Sequence, residues 1–182
     1  MQIDKIVLYS LSGQTRILPF RLGKVNIITG ESKSGKSALI EIINYCLASS
    51  NCDIPEGIIR DSVSYFSICV TFTDGETIFI ARENPNLRGI QASTTVCLIR
   101  GLEELPALEE INSNLNIDSL KEFLTRKIGI SENLHMPDSF TREPLQANFK
   151  HSRFYCYQPQ YLVADPYQLF YNQNKEFIPQ SI

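Results

Sequence analysis

The run GESKSGKS, residues 30–37, constrains this chain more than any other feature. It matches G-x-x-x-x-G-K-[ST], the phosphate-binding loop that joins a buried strand to a helix. Both flanks suit it. Residues 25–29, Val-Asn-Ile-Ile-Thr, form a short β-branched apolar run that reads as a buried strand. Residues 38–48 place Leu39, Ile42, Ile43, Cys46 and Leu47 at the spacing of one helix face. Strand, glycine loop and helix in that order make an anion site from backbone N–H groups and a helix N-terminus. A chance match in a glycine–serine loop would not bring both neighbours with it.

Each position in the loop has a task. Gly30 and Gly35 let the backbone turn tightly around a phosphate. Glu31, Ser32, Lys33 and Ser34 supply the stretch of backbone between them. Lys36 is expected to place its ammonium on the β- and γ-phosphates, and the Ser37 hydroxyl to ligate Mg²⁺.

A chain of 182 residues is one domain or one large lobe, long enough to bury a core. Its 43% hydrophobic and 20% charged residues are those of a soluble globular protein. A net charge of −3 argues against a nucleic-acid-binding surface spread over the whole chain. The charge is uneven, however. Lys5, Arg16, Arg21, Lys24, Lys33 and Lys36 outweigh Asp4 and Glu31 in the first forty residues. That excess serves either the nucleotide or a DNA-facing patch. Glu103, Glu104, Glu109 and Glu110 make an acidic segment. Cys46, Cys52, Cys69, Cys97 and Cys156 lie far apart, mostly in apolar runs, and read as buried thiols. His135 and His151 lack zinc spacing. An odd cysteine count and no signal peptide point to the cytoplasm, and no apolar stretch is long enough to span a bilayer.

Along the chain, residues 3–9 and 16–20 read as strands joined by a turn at residues 10–14. Residues 51–60 read as a loop with Pro55 and Gly57. A β-rich stretch follows, with strands at 62–73, 77–82 and 93–99 and a hairpin signal at Asp74-Gly75. Ser119-x-x-Glu122 reads as a capping box for a short helix whose apolar face is Leu120, Phe123, Leu124 and Ile128 and which stops at Gly129. Residues 131–150 read as a polar loop and residues 154–157 as a final strand. Asp165-Pro166 opens a short helix.

A nucleoside triphosphatase also needs a strand-end carboxylate for Mg²⁺ and a group that orients the attacking water. Asp74 sits in a hairpin turn and Asp165 before a proline reads as a helix cap, so neither makes a convincing Walker B residue. Leu11-Ser12-Gly13-Gln14 has the letters of an ABC-type signature loop. It precedes the P-loop and leads into a strand pattern, so it reads as a turn. Gln158, at the end of the 154–157 run and followed by Pro159, resembles the Q-loop glutamine of ABC-type ATPases, with Gln160 the lesser candidate.

The opening strand pair, Leu22-Gly23-Lys24 with residues 25–30, and GKSALIEIINYCL together resemble the N-terminal lobe of Rad50/SMC/RecF-like ATPases. Residues 54–63 and the Tyr157-Gln158-Pro159-Gln160 turn look closer to one bacterial branch, known mainly as a domain of unknown function and linked to phage-defence operons. The resemblance runs from Met1 to about Phe170. It implies an α/β P-loop NTPase fold of ABC/SMC type, with a mixed sheet and an antiparallel β-subdomain, residues 1–182 forming the N-terminal lobe only. It implies ATP and Mg²⁺ as ligands, Gln158 reaching the metal and the attacking water, and Arg60 near the nucleotide. It also implies a partner: a C-terminal lobe, or a second head in a homodimer, supplying the Walker B, catalytic glutamate, signature and switch histidine residues not found here. DNA is a possible partner of the assembly. One departure is that Glu31-Ser32-Lys33 stands where the family has an asparagine–glycine variety. Arg60 reads equally as a solvated arginine at a strand start. Tyr9 and Arg16 either flank adenine or are exposed strand residues.

The first reading is therefore the ATP-binding lobe of an SMC/Rad50-like ATPase, inactive in hydrolysis until completed. A self-contained P-loop kinase or GTPase is a rival. Asn174-Lys175-Glu176-Phe177 fails the guanine-reading N-K-x-D pattern, and no lid with paired arginines is evident. A third reading is a non-hydrolysing, nucleotide-gated dimerisation module.

Overall fold

A computed structural model describes residues 1–32, 34–131 and 146–156. The chain divides into two compact units, Met1–Leu120 and the residues from Lys121 onward. The first is α/β. Its strands are β1 (Gln2–Ser10), β2 (Thr15–Pro19), β3 (Val63–Thr71), β4 (Thr77–Glu83), β5 (Thr95–Arg100) and β6 (Leu115–Asn116). They form one six-stranded sheet in the order β2-β1-β3-β4-β5-β6. Every pair is antiparallel among the described residues.

Local chemistry explains the hairpins. Between β3 and β4, Asp74 accepts the Glu76 N–H at 3.1 Å and Gly75 takes φ 86°, a left-handed turn position. Between β1 and β2, Gly13 takes φ 80° and the Ser10 N–H bonds to the Gln14 carbonyl at 2.8 Å. Residues 11–14 are thus a turn, as read from the sequence.

The central strands β3 and β4 are buried on both faces, which is why they read as nearly continuous apolar runs. One face carries Val7, Tyr9, Cys69, Phe79, Ala81 and Cys97, covered by Leu102, Leu105, Leu108 and Ile111. The Tyr9 hydroxyl is tied there to the Pro106 carbonyl at 2.9 Å. Tyr9 is therefore a buried core residue, neither exposed nor free to flank a base. The alternate residues, including Phe66, Ile68, Ile78 and Ile80, make the opposite face. Helix α1 (Ala38–Cys46) packs against β3 and β4 there, with Tyr45 edge-on to Phe66 at 6.0 Å.

The segment 25–29 is not a strand. Val25 is 89% exposed and Ile27 82% exposed. No backbone hydrogen bond joins these residues to another strand among the described residues. The neighbouring chain is instead folded on itself by Asn26, which accepts from the Arg21 N–H at 2.8 Å and donates to the Arg21 and Lys24 carbonyls at 3.0 Å each. β-Branched sequence fits a sheet surface but does not supply one. The mixed sheet expected from the sequence needs this segment paired in parallel, and no such pairing is formed among the described residues.

Residues 51–60 also differ from expectation, because α2 (Ile58–Ser62) forms at their end. Helix α3 (Ile117–Lys127) begins earlier than the Ser119 capping box implied, because Asn116 accepts from the Ser119 N–H at 2.8 Å and acts as the cap. It ends as expected, with Gly129 at φ 82°. Of the strand expected at 154–157, residues 154–156 lie in helix α4 (Phe149–Cys156), and residue 157 lies outside the described residues. A reciprocal cap explains it. Asn148 accepts from the Lys150 N–H at 3.0 Å, and the Asn148 N–H bonds to His151 Nδ1 at 3.0 Å. Cys46, Cys69 and Cys97 are buried as read, whereas Cys52 is half-buried and Cys156 exposed. No helix is long and apolar enough to cross a membrane among the described residues.

Candidate functional site

The loop at residues 30–37 runs directly into α1, with Ser37 as its N-cap. The Ala38 N–H bonds to the Gly35 carbonyl at 3.0 Å and the Leu39 N–H to the Lys36 carbonyl at 3.2 Å, closing the first turn. The Ser37 side chain makes no capping bond and is exposed. Its hydroxyl is thus not consumed by the helix it begins.

Both motif glycines meet a steric requirement. A Cβ on Gly30 would stand 2.9 Å from Ser34 Oγ. Gly35 adopts φ 83°, and a Cβ there would stand 2.9 Å from Ile59 Cδ1. Lys36 is folded back into the loop. Its Nζ donates to the Gly30 carbonyl at 2.7 Å, the Glu31 carbonyl at 2.6 Å and Ser34 Oγ at 3.1 Å. The ammonium therefore sits in the hollow of the loop, bonded to the loop's own carbonyls. This cradle, with a cation at its centre and a helix N-terminus at its rim, fits a phosphate group. Glu31, Ser32 and Ser34 are exposed along its outer turn. Lys33 lies outside the described residues.

Helix α2 lies against the loop through the contact of Ile59 with Gly35. It is held there by Asn84, a buried side chain whose Nδ2 donates to the Arg60 carbonyl at 2.5 Å and the Val63 carbonyl at 2.7 Å. The Asn84 Oδ1 also accepts the Asn86 N–H at 3.1 Å. Arg60 is thus on an element that touches the P-loop, but its guanidinium turns elsewhere. Nη1 donates to the Ile54 carbonyl at 3.3 Å, and Nε is buried without a partner. The side chain lines an open cleft of about 740 Å³ with Cys52, Asp53, Glu56, Asn86 and Gln91. Arg60 is half-buried on a helix rather than solvated at a strand start.

The far end of α1 is fixed by Arg82 on β4. This side chain is fully buried, lies 3.8 Å from the Tyr45 ring centroid and bonds to main-chain carbonyls on α1 and beyond it. Burial pushes the Tyr45 phenol up to about 12 and the Cys46 thiol up to about 12, so both are neutral at ordinary pH. Sequence reading missed Ile59, Asn84 and Arg82. Arg82 had a signal: it follows Ile78 and Ile80 at period two in an apolar strand, a buried position for a cation.

Gln158, Gln160 and Asp165 lie outside the described residues. The described part of the 154–157 run that leads to Gln158 is helical rather than a strand. Arg16 lies on the edge strand β2 and is exposed. No protein-family model, curated protein or solved structure matches this chain.

Proposed function

We propose that residues 30–37 bind the triphosphate of ATP, and that the chain is the nucleotide-binding lobe of an SMC/Rad50-like ATPase completed by a second lobe. The observation that carries the first part is the loop itself: Gly35 at a φ of 83° that disfavours any Cβ, and Lys36 Nζ drawn onto the Gly30 and Glu31 carbonyls in the hollow of the loop. Gly30, Gly35 and the first amides of α1 hold the phosphates, Lys36 exchanges its carbonyl partners for phosphate oxygens, and Ser37 offers its hydroxyl to Mg²⁺. A bound Mg²⁺ would neutralise charge on the phosphates; the chain's own groups position and orient them.

The second part is supported by residues 25–29. Val25, Ile27 and Ile28 are exposed just before the loop. Burying such side chains fully is worth about 1.5–3 kcal/mol each. A partner lobe that contributes strands on either side would bury them and bring the missing carboxylates to the loop. DNA as the substrate of the completed assembly and a part in phage defence follow the family resemblance, and a cytoplasmic setting follows the odd number of cysteines. The dimerisation-module reading shares this site and differs only in hydrolysis.

The purified chain should bind ATP but hydrolyse it negligibly, because no convincing Walker B carboxylate or signature loop is found in its sequence. Steady turnover that Lys36→Ala abolishes would place a catalytic acid inside the chain and overturn the need for completion.

A further inference from the structure

We infer that Arg82 is a positioning residue for the phosphate loop, acting along α1 from its C-terminal end. The inference rests on the nucleotide reading of residues 30–37. Arg82 lies on the α1 side of β4 and is 0% exposed. No ion pair among the described residues includes it. Its charge is met by main-chain carbonyls instead. Nη1 donates to Tyr45 O at 2.5 Å and Ser49 O at 2.8 Å, and Nη2 donates to Ser93 O. Tyr45 and Ser49 stand at the end of α1, where unpaired carbonyls and the helix dipole present negative charge.

The arrangement fixes direction as well as depth. The guanidinium lies on the Tyr45 ring. The Tyr45 hydroxyl donates to Glu83 O at 2.9 Å and accepts the Ser93 N–H at 3.0 Å. Helix, β4 and the entry to β5 are thereby joined at one point. A buried cation is costly to desolvate, and an apolar side chain would fill the space without that cost. What an apolar residue cannot supply is a set of directional bonds to the helix end. Helix α1 has nine residues, a rod of about 13 Å. Its opposite end is Ser37, with Lys36 one residue before it. A helix that pivots at Tyr45 therefore moves the two groups that grip the phosphates.

The test measures binding of a fluorescent N-methylanthraniloyl-ATP, with Mg²⁺, to the full chain and to Arg82→Met and Arg82→Lys, alongside urea stability. Phe79→Leu, a core change on the opposite sheet face, serves as the stability-matched control. Both Arg82 variants are expected to lose tenfold or more in affinity while Phe79→Leu stays within twofold of the parent. Lysine should not rescue, because one ammonium cannot reach carbonyls on two elements and cover the ring. Unchanged affinity in the Arg82 variants, or an equal loss in Phe79→Leu, overturns the inference. If the Arg82 variants do not fold, Tyr45→Phe decides: it should lose two- to fivefold, and parental affinity would overturn the proposal. A parent chain that fails to bind the nucleotide would instead sink the underlying reading of the loop.

Discussion

At Gly35 two constraints coincide. Its φ of 83° is costly for any residue with a Cβ, by about 1–2 kcal/mol. The added Cβ would also press on Ile59 Cδ1 at 2.9 Å. Gly35→Ala should therefore distort the loop and lower ATP affinity tenfold or more, with a smaller loss of stability measured by urea unfolding. Parental affinity in that variant would show that the loop geometry is irrelevant to binding. The glycines, Lys36 and Ser37 were legible because the motif states their chemistry directly. Ile59 and Asn84 were not, because a contact across the fold leaves no local pattern. Tyr9 misled for the same reason: an aromatic residue in a strand looks alike whether its hydroxyl meets a base or the Pro106 carbonyl. The buried acids give a pH prediction. Burial raises Tyr9 and Tyr45 from 10.0 to about 12, Cys46 from 9.0 to about 12 and Cys69 from 9.0 to about 11. The fold favours their neutral forms, so this contribution is complete below pH 9 and is lost as pH rises through about 11 to 12. Unfolding titrations should show stability falling steadily above pH 9, and Tyr9→Phe should make the decline shallower. A stability that rises over that range would contradict the burial described for these groups.

Element by element, the antiparallel strands were legible because Asp74-Gly75 and Gly13 mark their turns. The elements misread were those whose fate depends on a partner or a cap. Residues 154–157 carry aromatic β-formers, yet Asn148 and His151 start a helix ahead of them. Residues 25–29 carry the strongest strand signal next to the motif and have no sheet to join. Among the described residues their amides have no backbone partner, whereas β3 is paired along both edges. Hydrogen exchange of the isolated chain should therefore show amides 25–29 near free-chain rates and those of β3 strongly protected. Replacing Val25 and Ile27 with serine should leave unfolding free energy within about 0.5 kcal/mol of the parent. Slow exchange at 25–29, or a large destabilisation, would mean the segment is already buried in the isolated chain.

On the scale of the molecule, the first unit packs α1 against β3 and β4, two strands buried on both faces, and residues 30–37 lead into the exposed end of that helix. The scaffold around α1 is complete: apolar packing on β3 and β4, a buried cation at its base and α2 braced against Gly35. Among the described residues, Val25 and Ile27, just before the loop, are left exposed. That contrast is why the account assigns nucleotide binding to this chain and hydrolysis to an assembly. Length and composition foretold a buried core of this size; they could not foretell that one apolar segment would be left outside it.

The central claim is that Lys36 and its loop bind ATP, and isothermal titration of ATP with Mg²⁺ into the parent chain and Lys36→Ala tests it most directly. Charge-assisted contacts to the phosphates are worth about 1.5–3 kcal/mol. The account predicts about ten- to a hundredfold weaker binding in the variant with an unchanged unfolding midpoint. Equal affinity in the two proteins, or no binding by the parent, would contradict it.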